Sequence, residues 1–220
     1  LCSALFALLV ANLTMIMVVQ ADSYQTMPGN NHTLAKEAKS ERGTISTYDG
    51  IVLARSAMDD DGSYERIYPA GDLATHVVGY VSQQYGTSGI EASYNETLKG
   101  QESFASWTDV LNDMAGVGTA GNDVTLTINS KIQQAAQDAL AGNKGAAIVM
   151  DPKTGAILAL ASAPTYDAAD FEQVIAQANS GTAETSLINR ATGTLYAPGS
   201  TFKMVTLATA IEDDVASEST

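Results

Sequence analysis

The sequence contains one cysteine, Cys2, and only two histidines, His32 and His76, in 220 residues. A single cysteine excludes an intramolecular disulfide, which suits a reducing compartment or an extracytoplasmic protein that does without such bonds. The histidines stand far apart and neither HExxH nor CxxC occurs, so no catalytic metal and no cofactor is expected. Basic residues are scarce: 11 Lys and Arg face 25 Asp and Glu, a formal net charge of -14. Phosphate binding needs clustered Lys and Arg, so a nucleic-acid partner is excluded. An acidic surface confers solubility without naming a partner. An initiating methionine is also lacking, and the last residues carry no domain-ending signal; both ends are read as incomplete. The length allows one large domain or two small ones with a real core.

What the sequence does have begins with an apolar run. Residues 1–19 carry no charge, and only Ser3, Asn12 and Thr14 are clearly polar. As a helix this run would be about 28 Å long, close to the ~30 Å hydrocarbon core of a bilayer. The first charge is Asp22 and the first basic residue Lys36. Basic residues favour the cytoplasmic side, so their absence just after the span puts the rest of the chain outside the cell. Two other readings compete, a buried core helix and a cleaved signal peptide ending at Val19-Gln20-Ala21. The run exceeds the usual ~7–15-residue core of a signal peptide, which favours a retained single-pass anchor over residues 1–20.

Residues 21–40 are polar, include Pro28-Gly29-Asn30-Asn31, and read as a linker. From Thr44 to Ala54 the pattern alternates around Asp49-Gly50, a hairpin signature. Asp59-Asp60-Asp61-Gly62 reads as a solvated turn, without the spacing of a calcium loop. Ala74 to Val81 is apolar, and Gly86 to Gly89 reads as a turn. From Asp123 the character changes. Val124, Leu126 and Ile128 alternate with threonines as in a half-buried strand. Asn129 or Ser130 can cap a helix through Ala141, with Ile132, Ala135, Ala136, Ala139 and Leu140 on one face and Gly142 at its end. Apolar runs at 146–150 and 156–161 flank Asp151-Pro152-Lys153-Thr154-Gly155, a central-strand hairpin turned by Pro and Gly. Residues 165–190 read as a polar excursion with a helix and loops. The pattern predicts an α+β fold with helices packed on an antiparallel sheet.

Ser200 and Lys203 are three positions apart at the start of a nearly all-apolar helix, so they project from the same face. A serine hydroxyl needs a neighbouring base to become a nucleophile. A lysine one turn away serves if burial disfavours its ammonium form. The helix N-terminus adds partial positive charge and free N–H groups that suit an oxyanion. Local physics alone leaves open a second reading, a capping serine beside a lysine that reaches to solvent.

The wider sequence adds a resemblance. Asn189-Arg190-Ala191 followed by Tyr196-Ala197-Pro198-Gly199-Ser200-Thr201-Phe202-Lys203 closely resembles the active-serine motif of penicillin-binding transpeptidases, and Gly145 to Ser162 is similar to the hairpin that precedes it. Upstream, Arg42-Gly43-Thr44-Ile45, Arg66-Ile67-Tyr68-Pro69-Ala70-Gly71 and Gly89-Ile90-Glu91-Ala92-Ser93-Tyr94-Asn95 resemble motifs of the class B N-terminal module, with the actinobacterial penicillin-binding protein A type most alike. The resemblance implies a membrane anchor helix (1–20), a linker (21–40), a β-rich N-terminal module (41–122) and the truncated start of a penicillin-binding transpeptidase, serine β-lactamase-like, domain (123–220). It implies catalytic Ser200 and Lys203, peptidoglycan stem peptides as substrate, β-lactams as covalent inhibitors, divisome membrane proteins as partners, and a membrane-anchored protein with its bulk outside the cell.

Ser93-Tyr94-Asn95 and Lys153-Thr154-Gly155 mimic the S-x-N and K-T-G elements of such enzymes but precede the S-x-x-K helix instead of coming after it, so neither is taken as catalytic. By the same resemblance Arg42 and Glu91 pair to hold the module to the transpeptidase domain, while His76 is read as structural. Two alternatives share the serine domain: a β-lactam-sensing receptor and a non-catalytic septal scaffold. These 220 residues alone are expected to leave the helix after Ser200 with a large exposed apolar patch and not to bind penicillin.

Overall fold

The structure is a computed structural model that describes residues 40–82, 84–100, 120–180, 186–217 and 219, with residues 6, 8–10, 12 and 15 near the N-terminus. Most of the expected anchor and linker lies outside these. Among the described residues no helix is long and apolar enough to cross a membrane.

The turn at Asp49-Gly50 joins strand β1 (Ile45–Ser46) to β2 (Val52–Met58). Gly50 supplies a φ of 85°, and its N–H donates to the Thr47 carbonyl at 3.0 Å. The acidic run closes the next turn onto β3 (Tyr64–Ile67), where Asp61 accepts from the Ser63 N–H at 2.9 Å. The fourth strand of this sheet is β6 (Val124–Thr125), giving the order β3-β2-β1-β6. β1 and β6 run parallel with Ile45 opposite Val124, while the other pairs are antiparallel. The expected alternation holds, because Val124, Leu126 and Ile128 are buried against Ile45, Leu53, Val78 and Leu98. Each such side chain, fully buried, contributes roughly 1.5–3 kcal/mol.

Between β3 and β6 come α1 (Thr75–Val78), β4 (Val81–Ser82), β5 (Gly86–Thr87), α2 (Gly89–Ser93) and α3 (Asn95–Leu98). The segment read as a plain turn, Gly86 to Gly89, instead supplies a strand, because Ser82 and Val81 pair with Gly86 and Thr87. The chain enters and leaves this region at one crossing. Gly121 donates to the Glu41 carbonyl at 2.7 Å and Gly43 to the Leu98 carbonyl at 2.9 Å. A Cβ on Gly121 would sit 1.9 Å from the Leu98 oxygen, so only glycine lets the backbones approach this closely.

Helix α4 (Ser130–Leu140) is capped by Asn129, whose side chain accepts from the N–H groups of Lys131 and Ile132. Ser130, the other candidate cap, bonds Asp49 instead: its N–H donates to Oδ1 at 2.9 Å and its hydroxyl to Oδ2. Those two bonds hold the Asp49 carboxyl near a pKa of about 2. The buried face of α4 is narrower than its apolar spacing predicts: Ala136 is buried and Ile132 half-buried, but Ala135 and Ala139 face solvent. Gln133, only 1% exposed, takes a core place. Its amide accepts from the Leu160 N–H at 2.8 Å and donates to the Leu160 carbonyl at 3.1 Å and to Gln137 at 3.0 Å. Gln137 in turn donates to the Asp72 carbonyl and accepts from the Ala74 N–H. A two-glutamine relay thus joins α4 and the strand carrying Leu160 to the loop before α1.

That strand is β8 (Ile157–Ala163), paired antiparallel with β7 (Gly145–Met150). Asp151 shapes the turn between them, accepting from the Lys153 N–H and the Thr154 hydroxyl, and those bonds lower its pKa. The hairpin is not a central one among the described residues: β7 pairs with β8 alone, and Ile148, Val149 and Met150 are exposed. A short 3-10 turn at Ala168–Asp170 leads into α5 (Phe171–Asn179), and α6 (Arg190–Gly193) comes next.

Candidate active site

The chain approaches Ser200 from Pro198-Gly199, where Gly199 has a φ of 53° that a side chain would strain. Residues Gly199–Phe202 form a 3-10 turn that runs directly into α7 (Lys203–Glu212). The Lys203 N–H donates back to the Ser200 carbonyl, three residues earlier. A 3-10 turn has three residues per revolution, so positions i and i+3 eclipse. Ser200 and Lys203 are therefore placed on the same edge of the helix start. Thr201 caps the same turn, its hydroxyl donating to the Pro198 carbonyl.

Both Ser200 and Lys203 are exposed. So is the apolar surface of α7, with Met204 73%, Val205 54% and Leu207 51% exposed. This is the patch expected of the sequence. Among the described residues there is no group of His, Cys, Asp and Glu that could hold a metal.

The two decoys take the structural roles their positions suggested. Lys153-Thr154-Gly155 lies in the β7–β8 turn, where Gly155 has a φ of 75°. Asn95, at the end of Ser93-Tyr94-Asn95, accepts from Arg42 Nη1 at 2.9 Å. The expected Arg42–Glu91 pair is present, with Nε 2.6 Å from Oε2, but it does not span two domains. Glu91 also accepts from Arg66 Nε at 2.7 Å, and Arg66 Nη1 donates to the Gly43 carbonyl at 2.7 Å. The cluster ties the chain before β1 to β3 and α2, all within residues 42–95. Sequence reasoning missed Arg66 as the third member, although it lies in a quoted motif. The Tyr68 hydroxyl near this cluster has a raised pKa, first from burial and then from Glu91.

His76 does more than fill space. Its Nε2 lies 2.6 Å from the Ser186 carbonyl, and its own carbonyl accepts from Asn189 Nδ2 at 3.2 Å. A carbonyl only accepts, so Nε2 carries the proton. Burial, opposed by the Ser186 carbonyl and aided by the Arg190 charge, lowers the imidazole pKa. The ring stands edge-on to Tyr166, which burial shifts up to about 12. Close by, the Tyr80 ring stacks on Phe171 at 3.5 Å.

Comparison with known proteins now decides the family. Profiles described as the penicillin-binding protein A dimerisation domain and the penicillin-binding protein transpeptidase domain match residues 42–124 and 145–220. The chain belongs to the class B penicillin-binding proteins. The peptidoglycan D,D-transpeptidase PbpA of Mycobacterium tuberculosis is 36% identical, over 94% of this chain and 45% of its own length. The peptidoglycan D,D-transpeptidase MrdA of Escherichia coli is 32% identical, over 72% of this chain and 30% of its own. Among solved structures, the D,D-transpeptidase domain of a peptidoglycan glycosyltransferase from Eggerthella lenta superposes with a TM-score of 0.72 at 67% identity, covering 82% of this chain and 39% of that one. Penicillin-binding protein A from M. tuberculosis, as its imipenem acyl-enzyme complex, gives 0.71 at 33% identity over 83% of this chain and 44% of its own. The chain thus spans about half the length of its mycobacterial class B relatives, and it shares their mixed α and β transpeptidase fold.

Proposed function

We propose that this chain is the N-terminal part of a peptidoglycan D,D-transpeptidase whose nucleophile is Ser200. The observation that supports the reading is the single 3-10 turn at the start of α7 that separates Ser200 from Lys203 by three positions. In the proposed reaction Lys203 takes the hydroxyl proton as the Ser200 Oγ attacks the penultimate D-Ala carbonyl of a stem peptide. The C–N bond breaks and terminal D-Ala leaves with that proton. An amine of a neighbouring stem then attacks the ester, forming the crosslinking amide and freeing the serine. A β-lactam undergoes the first half alone: its ring C–N bond opens and the acyl group stays on Ser200. The amine works as a base only where its ammonium is desolvated, so catalysis requires that the exposed faces of α7 and β7 be covered.

The division into an anchor (1–20), a linker (21–40), a module (41–122) and a partial transpeptidase domain (123–220) belongs to the same proposal. So do a single-pass location with the bulk of the chain outside the cell, and divisome membrane proteins as partners. The described residues 6, 8, 9, 10 and 15 are apolar and exposed, which supports an apolar medium around that segment. Fluorescent penicillin should label the full-length protein in membranes, and Ser200→Ala should abolish labelling. An unlabelled wild type overturns the enzyme reading and favours a scaffold, and a labelled Ser200→Ala protein overturns Ser200 as the nucleophile.

A further inference from the structure

Residues 186–191 are gripped from two sides just before the nucleophile's segment. On one side is α1 of the 42–124 region. His76 Nε2 donates to the Ser186 carbonyl, and the His76 carbonyl accepts from Asn189 Nδ2. On the other side is β8. The hydroxyl of Ser162, 3% exposed, donates to the Ile188 carbonyl at 3.0 Å and accepts from the Arg190 N–H at 3.0 Å. Asn189 links the two grips, because its Oδ1 also accepts from the Ala191 N–H at 3.1 Å and so caps α6. Beyond this bracket every residue from Thr192 to Ser200 is exposed.

The local geometry has a direct mechanical meaning. The bracket is where the segment bearing Ser200 leaves packed structure, and half of it belongs to a region distant in sequence. A shift of α1 would move Ser186 and Asn189, then α6, and with it the direction of the exposed chain that ends at Ser200. We infer that His76, acting through its imidazole on Ser186 and its backbone carbonyl on Asn189, is a positioning residue for Ser200, so that the N-terminal region sets the approach of the nucleophile. This inference rests on the acyl-serine reading. His76 touches no reacting group and is not catalytic.

The test uses the full-length membrane protein and two readouts: the limiting rate of acylation by fluorescent penicillin, separated from its binding constant by varying concentration, and amide hydrogen exchange. His76→Ala is expected to slow limiting acylation roughly ten- to a hundredfold, the penalty of a small misplacement. It should raise exchange in peptides spanning 186–199 while β1, β2 and β3 keep their protection. Asn189→Ala, which removes the separate bond to the His76 backbone carbonyl, should do the same. His76→Gln, whose amide N–H can reach the Ser186 carbonyl, should restore most of the rate. Wild-type acylation by His76→Ala, loss of protection throughout the fold, or a His76→Gln protein no better than His76→Ala would each overturn the inference. If the wild type is not acylated at all, the proposed function falls, and the exchange pattern decides the bracket: a local rise at 186–199 supports it and a uniform one overturns it.

Discussion

Replacing Glu91 by Gln is the sharpest perturbation of the N-terminal region. The Glu91 side chain has no exposure, and its two oxygens face guanidinium groups whose side chains are 11% and 7% exposed. Removing one partner of a buried ion pair typically costs ~3–5 kcal/mol. Here the change leaves two cations facing one amide, and the new N–H group opposes one of the arginine donors, so the upper end, about 5 kcal/mol, is expected. For a protein of this size each kcal/mol lowers Tm by ~2–4 °C, giving a fall of roughly 10–20 °C. Arg66→Met is the informative control. It leaves a one-to-one Arg42–Glu91 pair and removes Arg66 Nη2, a buried donor with no partner, but it strips the Gly43 carbonyl of its bond. An unsatisfied buried acceptor costs about 1–3 kcal/mol, so this variant should melt well above Glu91→Gln. Circular dichroism melts of the purified protein in detergent measure both. If Arg66→Met proves as costly as Glu91→Gln, the cluster is not governed by its excess positive charge and the reasoning fails.

Gly121→Ala should destabilise by about 1–3 kcal/mol or prevent folding, because its methyl group would overlap the Leu98 carbonyl; denaturant unfolding gives the number. Gln133→Leu should cost about 1–3 kcal/mol despite its apolar surroundings, since both Leu160 backbone groups lose a partner; an unchanged unfolding midpoint would refute the relay. The folded pKa of Asp49 is depressed from 3.8 to about 2, so its contribution is complete above pH 3.8 and is lost as pH falls through about 2. Asp49→Asn should flatten that part of the stability–pH curve, and an acid limb identical to wild type would show that Ser130 does not hold the carboxylate.

The elements written in local chemistry were legible. Asp49-Gly50, Asn129 and Asp151 to Gly155 each carry turn or cap residues whose partners lie within a few positions. The helix start that carries Ser200 and Lys203 was legible too, from Pro198-Gly199 and the apolar run that comes after it. What escaped depends on partners remote in sequence. Ile45 pairs with Val124 and Arg66 with Glu91, and a strand of two residues leaves no periodicity of its own. Gln133 escaped because glutamine reads as solvent-facing until the backbone edge that it satisfies is known. His76 read as structural because Ser186 and Asn189 lie more than a hundred positions on.

The parallel pairing of β1 with β6 has a consequence for how the molecule comes into being. A chain emerges at roughly 5–20 residues per second, so Ile45 waits on the order of 4–16 s before Val124 exists to lie beside it. Throughout that interval the hairpins of β1, β2 and β3 hold an open flank, and the two arginines precede their shared acid acceptor by dozens of residues. The early product is a half-sheet with an open flank and two arginines still without their common acid, until the late strand arrives and shuts it.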